Sequence, residues 1–442
     1  MSNENNSRLK TAPNAVANKE ISTLTYAKQL DHNDPLASMR EQFSIPKQAD
    51  GTDEYYFTGN SLGLQPKLAR AAVIELLDAW QMRGVKGHFE GEFPWLPYHE
   101  FLTEQAAEIV GALPKEVVMM NSLTANLHLM MASFYQPSSQ RTKILIEDHA
   151  FPSDHYAVES QLKHHGQNVE DNLLLWTPRA GEELLNHDDL WQIIAKYGDE
   201  IALILLPGVQ YYTGQVLDMQ RITEVAHEKG IKVGFDLAHA AGNIELSLHQ
   251  WQVDFACWCS YKYLNSGAGS VAGCFVHQKH VENTELNRFA GWWGHDKSSR
   301  FKMENTFKPI PTAEGWQLSN PPVLSLAAVR GALDTVKLAG GMPALRKKSL
   351  LLTQYMMTLI KAELGDKIRI ITPQSSSERG CQLSLMLNIP HLDGKTIFTA
   401  LENNGVITDW REPNVIRVAP VPLYNSFQDV YHFVRLLKEC IS

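Results

Sequence analysis

The chain reads as an α/β protein: a larger domain built on a mainly parallel sheet covered by helices, then a smaller α+β domain. Three observations predict this. Through the first three quarters, short apolar runs alternate with amphipathic stretches. Strands without a polar face, separated by helices, belong to a sheet buried on both sides. After Asn320-Pro321-Pro322 the alternation stops, and a long helical region precedes shorter strand-like segments. The length, 442 residues, exceeds what one growing core supports, so two unequal domains are expected. The expected division is an N-terminal extension over 1–60, a large domain over 61–318 and a small C-terminal domain over 319–442.

The apolar runs predict strands at Lys143–Glu147, Leu173–Trp176, Ile201–Leu206, Ile231–Phe235 and Phe255–Cys259. Pro66–Arg83 is amphipathic and opens with a proline suited to a first helical turn. A second helix starts at Asp218, as N-cap, and stops at Gly230. In the C-terminal part, a helical region over 324–364 is broken by Gly340-Gly341. Strands follow near Gln382–Asn388, Val406–Trp410 and Val415–Val418, and a last helix spans 426–440. No internal repeat or low-complexity tract stands out.

Composition is ordinary for a globular protein, 44% hydrophobic and 20% charged. The net charge of −9 is spread without a block of like charges, which favours solubility and argues against nucleic acid as the main partner. The five cysteines (Cys257, Cys259, Cys274, Cys381 and Cys440) are odd in number and sparse, which argues against a disulfide framework. Cys257 and Cys259 face one side of a strand, as a metal pair or as small buried hydrophobes. No second Cys or His pair follows at a zinc spacing, which favours the second reading. No run of ~18 apolar residues exists, so no membrane span is expected. The first ~20 residues are polar and lack the apolar core of a secretion signal. They read as a loose tail, and a cytoplasmic location is the expectation.

The informative stretch is Val233–Val276, containing VGFDLAHAAG and ACWCSYKYLNSGAGSVAGCFV. Asp236 ends an apolar strand, where an open α/β sheet binds ligands, although a helix cap is an equal reading of that residue alone. His239 follows within reach of the same place. Lys262 lies past the next strand between Tyr261 and Tyr263. Alone, it could be a surface lysine with a snorkelling stem. The NSGAGSVAG that follows supplies turns where backbone approaches a ligand closely. Taken together, the residues meet the needs of pyridoxal phosphate. That cofactor requires a lysine amine for a Schiff base with its aldehyde, and a carboxylate to keep its pyridine nitrogen protonated so that the ring acts as an electron sink. It also requires donors for its phosphate, which Ser122-Leu123-Thr124 offer at the head of a helical run over Ala125–Tyr135. Desolvation beside a cation would make the lysine amine nucleophilic.

Several longer segments resemble kynureninase. They are TGNSLGLQPK (Thr58–Lys67), FPSDHYA (Phe151–Ala157), the whole stretch from FDLAHAAG to GCFVHQKH, GWWGHD (Gly291–Asp296), SNPP (Ser319–Pro322) and IRVAPVPLYNSF (Ile416–Phe427). They run in the family's order from near residue 40 to the C-terminus. The resemblance implies the aspartate-aminotransferase-like fold (fold type I), pyridoxal 5'-phosphate as cofactor and a homodimer. It also implies hydrolytic Cβ–Cγ cleavage of L-kynurenine or 3-hydroxy-L-kynurenine to the anthranilate and L-alanine, in tryptophan degradation or NAD biosynthesis. By the same resemblance Lys262 carries the cofactor and Asp236 partners the pyridinium. Leu123, Thr124 and Tyr261 meet the phosphate, and Phe151, Pro152, Ser153 and Asp154 flank the ring. His239, Trp292 and Asn320 complete the cofactor site. Arg417 clamps the substrate α-carboxylate, where a bidentate fork suits a planar anion. Ser61, His88 and Asn320 line the substrate pocket, and Tyr261 is a candidate proton donor. Pro207 departs from the pattern, standing where a small polar residue is expected, and removes one possible cofactor contact. Without the resemblance, Arg417 reads as an ion-pair partner of Asp409 or Glu412, and Asn320 as structural because it precedes proline.

Other readings are weaker. A cysteine desulfurase needs a reactive thiol on a mobile loop, whereas Cys381 sits in RGCQLSLML, which reads as a strand. An aminotransferase is distinguished by its half-reaction with a keto acid. A non-catalytic regulator of this fold would carry a DNA-binding unit, and residues 1–45 are too short and too weakly basic for one. A nicotinamide dehydrogenase would show GxGxxG after an early strand, and none is present.

Overall fold

The computed structural model describes residues 20–283, 285–389 and 392–442; the polar tail expected before residue 20 lies outside them. The large sheet has seven strands: β1 (Val117–Met119), β2 (Lys143–Glu147), β3 (Leu173–Trp176), β4 (Ile201–Pro207), β5 (Lys232–Asp236), β6 (Phe255–Trp258) and β7 (Gly273–Val276). Their order is β1-β7-β6-β5-β4-β2-β3, and β7 runs antiparallel to both of its neighbours. The other pairings are parallel. The five predicted apolar runs are β2 to β6, with ends displaced by at most one residue. The short β1, within the apolar run Val117–Met120, and the glycine-led β7 were not predicted.

The principal helices are α1 (Leu24–His32), α2 (Lys67–Arg83), α3 (Leu123–Phe134), α4 (Pro152–His164), α5 (His187–Tyr197), α6 (Met219–Glu228), α7 (Val323–Leu338), α8 (Gly341–Leu364), α9 (Gly394–Asn403) and α10 (Phe427–Cys440). The Asp218 side chain caps α6, accepting from Arg221 N at 3.0 Å. Gly340 and Gly341, with φ of 88° and 75°, separate α7 from α8.

Side-chain alternation explains why the strands carry no polar face. Ile144, Ile146, Leu203, Leu205 and Phe255 pack beneath α3 and α4. Leu145, Ile204, Leu206, Phe235 and Trp258 face the opposite layer, to which α2, α6 and α7 contribute. Both sheet faces are therefore dry.

The smaller sheet is antiparallel: β8 (Ile368–Ile370), β9 (Leu383–Leu387), β10 (Asp409–Arg411) and β11 (Val415–Val418), in the order β8-β9-β11-β10. The strand expected at Val406–Trp410 divides in two. Val406–Ile407 pairs in parallel with Tyr55–Tyr56, and Asp409–Arg411 enters the small sheet. The N-terminal segment thus joins the C-terminal part. The Asp31 carboxylate accepts from Phe427 N at 2.7 Å and Gln428 N at 3.1 Å at the head of α10. Ala27 and Phe57 share a core with Leu352, Ile416 and Phe433. Helix α7 lies beyond the expected 318/319 division, yet it buries Leu326, Val329 and Leu333 in the core of the large sheet. The two cores exchange within α8, between Leu345 and Leu352.

Candidate functional site

Adjacent strands β2, β4 and β5 end at Glu147, Pro207 and Asp236, and all three line a cavity of about 380 Å³. Open α/β sheets place ligands beyond the carboxyl ends of their strands. Lys262, in the turn after β6, lines the same cavity. Its Nζ lies 3.0 Å from His239 Nε2 and 5.9 Å from the centroid of the Phe151 ring. Burial and the Lys262 charge push the His239 pKa well down, so the imidazole is neutral. An ammonium only donates, so Nε2 accepts and Nδ1 holds the proton. That Nδ1 is buried without a partner among the described residues. Gly63 backs this turn, its N–H donating to the Tyr261 carbonyl at 2.8 Å. A Cβ at Gly63 would run into the Lys262 carbonyl and Asn265.

Three carboxyl groups meet at the strand ends. Burial pushes the Asp236 pKa up, opposed by hydrogen bonds with Asp154 and the Ala238 N–H and by the Lys262 charge; the Ala238 bond measures 2.6 Å. Burial and the neighbouring Asp236 hold Asp154 well above the ordinary range. Burial does the same for Glu147, whose Oε2 has no partner among the described residues. A buried acid with so little cationic company is costly unless a cation joins it. A protonated pyridine is such a cation.

At the other side, α3 begins at Leu123, and the Ser122 side chain makes no capping bond. Its first-turn N–H groups are free of a side-chain acceptor and suit an anion. Thr124 Oγ1 and Ser153 Oγ lie 2.8 Å apart beside them. This donor set fits a phosphate. With the lysine and the buried acid, it fits pyridoxal phosphate. The NSGAGSVAG turn, expected to approach the ligand, bends away through Asn265, Gly267 and Gly269 (φ of 60°, 92° and 70°) and is not part of the cavity wall.

The fourth wall comes from the small sheet. Arg417, 1% exposed, donates through Nη1 to the Tyr211 carbonyl at 2.6 Å and through Nη2 to Asp409 Oδ2. The ion pair that residue reading alone suggested therefore exists, and the same arginine also lines the cavity.

Of the sequence-predicted residues, the fold brings together Ser61, Leu123, Thr124, Phe151, Ser153, Asp154, Asp236, His239, Tyr261, Lys262 and Arg417. It leaves Pro152, His88, Trp292 and Asn320 outside the cavity wall of this chain. Pro152 is the first residue of α4. His88 packs edge-on against Trp95. Trp292 is 41% exposed, and Asn320 is exposed on the loop before α7. Sequence reading missed Asn60, Glu147, Tyr211 and Arg411. Applying the strand-end rule to every strand, rather than to Asp236 alone, would have found Glu147.

Cys381 is 1% exposed, its N–H bonds Asn243 Oδ1 at 2.8 Å, and burial pushes its thiol up to about 12. A thiol so held is no nucleophile.

The solved structures that share this fold include the cystine C–S lyase C-DES, in a mutant with glycine covalently linked to its PLP cofactor. It has a TM-score of 0.73 at 16% identity, over 90% of this chain and 98% of that one. A cysteine desulfurase from Thermococcus onnurineus NA1 superposes with a TM-score of 0.70 at 15% identity, over 94% and 98%. In sequence, the family model described as the kynureninase C-terminal domain matches residues 345–437. The kynureninase of Flavobacterium psychrophilum is 50% identical over 421 residues, covering 95% of this chain and 98% of its own. That of Xanthomonas campestris pv. campestris is 52% identical over 410 residues, covering 93% and 96%. The chain belongs to the kynureninase family.

Proposed function

We propose that this chain is a pyridoxal-phosphate hydrolase that cleaves the Cβ–Cγ bond of L-kynurenine, of its 3-hydroxy derivative, or of both, giving the corresponding anthranilate and L-alanine. The observation that carries it is one cavity holding a lysine on a neutral histidine, a buried acid at a strand end, an uncapped helix N-terminus and a buried arginine. Bound there, pyridoxal phosphate supplies an aldehyde for the substrate amine and a ring that accepts the electron pair freed at the α-carbon.

The chain's own residues would do the rest. The first turn of α3, Thr124 and Ser153 would hold the phosphate, and Phe151 would flank the ring. Asp236 would hold the proton of the ring nitrogen. Lys262 would hold the cofactor through its Nζ, and that amine, when free, would take the α-proton. His239 stays neutral beside it and accepts from Nζ, so it adds no repelling charge. Arg417 orients the substrate through its α-carboxylate. Burial and Cys259 raise the Tyr261 pKa, so its phenol keeps a proton to deliver as the cleaved carbon is protonated. A Tyr261→Phe variant with unaltered turnover would remove that role.

The assembly proposed is a homodimer. His88, Trp292 and Asn320 would then face the partner's cavity, with Pro152 flanking the ring from its own chain. The large apolar side chains left exposed near them support this: Trp80 (59%), Val85 (76%), Phe89 (65%) and Phe301 (55%). None of the helices among the described residues is long and apolar enough to cross a membrane, and the location proposed is cytoplasmic. The deciding experiment gives purified protein, pyridoxal phosphate and each substrate in turn, and follows the fluorescence of the anthranilate product. Absence of product from both substrates overturns the reaction, while borohydride trapping still tests Lys262.

A further inference from the structure

Arg417 is not the only cation at the substrate end of the cavity. Asp409 and Arg417 are direct cross-strand partners on β10 and β11. Arg411 stands two residues along β10 from Asp409 and therefore on the same sheet face. Trp410, between them, turns away and bonds Glu412 through its indole N–H at 2.9 Å. Arg411 reaches back over Asp409 as a fork. Its Nη1 lies 3.1 Å from Oδ1 and its Nη2 donates to Oδ2 at 3.3 Å. That Oδ2 also accepts from Arg417. Two guanidinium groups thus share one carboxylate, and both line the cavity.

The charge arithmetic gives this arrangement a consequence. Asp409 neutralises one arginine, so the trio keeps a single positive charge. Glu147, one of the acids that line the cavity and the neighbouring pocket it shares with Arg411, is held toward its protonated form by burial and does not cancel that charge. Among the described residues the Arg417 Nε–H is buried without an acceptor, an arrangement that costs stability until a ligand oxygen meets it. Without Arg411, the Asp409–Arg417 pair would be neutral and would hold little attraction for an anion.

We propose that Arg411 is a specificity-determining residue of this site: by sharing Asp409 with Arg417 it leaves the pair's surplus positive charge for the substrate α-carboxylate. This deepens the reading above and rests on it for the identity of the substrate.

The test compares the holoenzyme with Arg411→Met and Arg411→Lys variants, using L-kynurenine and L-kynurenine amide, which lacks the carboxylate charge. Arg411→Met should raise KM for the acid by about 10- to 100-fold, the range expected for losing a charge-assisted contact. KM for the amide should hardly move, so the preference for acid over amide collapses. Arg411→Lys keeps the charge and should restore most of that preference. An acid-to-amide preference in Arg411→Met equal to that of the unaltered protein overturns the proposal. A second readout does not depend on turnover: titration of each holoenzyme with L-alanine, followed by cofactor absorbance. Weaker alanine binding in Arg411→Met, recovered in Arg411→Lys, supports the proposal even where neither kynurenine is cleaved. Equal alanine affinity in all three overturns it. The loss of kynurenine cleavage by the unaltered protein instead overturns the substrate reading.

Discussion

Two buried aspartates flank the same pair of strands and behave in opposite ways. Asp254 lies just before β6, at the amino end of the sheet, and is fully buried. It accepts from Val233 N at 2.8 Å, His227 Nε2 at 2.9 Å and His280 Nε2 at 2.6 Å, with Lys279 Nζ at 3.1 Å. Burial alone would raise its pKa, but the two histidines, Lys279 and Lys232 outweigh burial and hold it well below the ordinary range. Asp236 closes β5 at the carboxyl end, with another carboxyl group, one N–H and Lys262 for company, and burial wins. One end of the sheet has satisfied its buried charge. The other keeps an under-partnered acid where a ligand enters. Local polar surplus therefore marks structure, and local polar deficit marks the site.

That contrast can be broken in two ways. Asp254→Asn strands cations around a neutral amide and should cost about 3–5 kcal/mol of stability, measured by denaturant unfolding, with cofactor absorbance per folded molecule retained. The sign with pH follows from its depressed folded pKa. The stability Asp254 contributes is fully present above about pH 4, the unfolded value. It is lost as pH falls from there toward the folded value, so the gap between variant and parent should narrow in acid. Asp236→Asn should do the reverse. Turnover should fall on the order of 10²–10³-fold, as when one preorganised charge-stabilising group is removed, while the cofactor-free protein is no less stable. Because Asp236 and Asp154 are raised on folding, the cofactor-free parent should lose stability as pH climbs from about 4 through their folded values. Asp236→Asn should flatten that slope. A slope of the same sign for both aspartates would refute the comparison.

The sequence showed one end of this contrast better than the other. Strands β2 and β4 to β6 were legible because doubly buried parallel strands are apolar throughout, the edge strand β3 because it is apolar although Leu175 is exposed, and Asp236 and Lys262 because they interrupt apolar runs at strand ends. Asp254 passed unnoticed, because its partners His227, Lys232, Lys279 and His280 reach it from separate segments and no local spacing announces them. Arg411 was missed for a related reason. Its meaning depends on β10 pairing with β11, and the strand expected at Val406–Trp410 hid the break that sends Asp409–Arg411 into the small sheet. His88, Trp292 and Asn320 came from family resemblance alone, and nothing within one chain places them in the cavity.

The smallest expected effect sharpens the same comparison at two helix N-termini. Helix α6 is capped by its own Asp218, so its first turn is spent on structure, and Asp218→Ala should cost about 0.5–2 kcal/mol of stability with cofactor affinity retained. Helix α3 has no side-chain cap, and among the described residues the Thr124 hydroxyl meets only Ser153, at 2.8 Å. Thr124→Val keeps the shape and removes one hydroxyl. Its loss should appear in pyridoxal-phosphate affinity, by about 1 kcal/mol or roughly fivefold, and be recovered by raising the cofactor concentration. Titration of cofactor absorbance measures the affinity, and unfolding of the cofactor-free protein measures the stability. A Thr124→Val protein that loses stability and keeps its cofactor affinity would assign α3 to the structural end of the sheet, with α6.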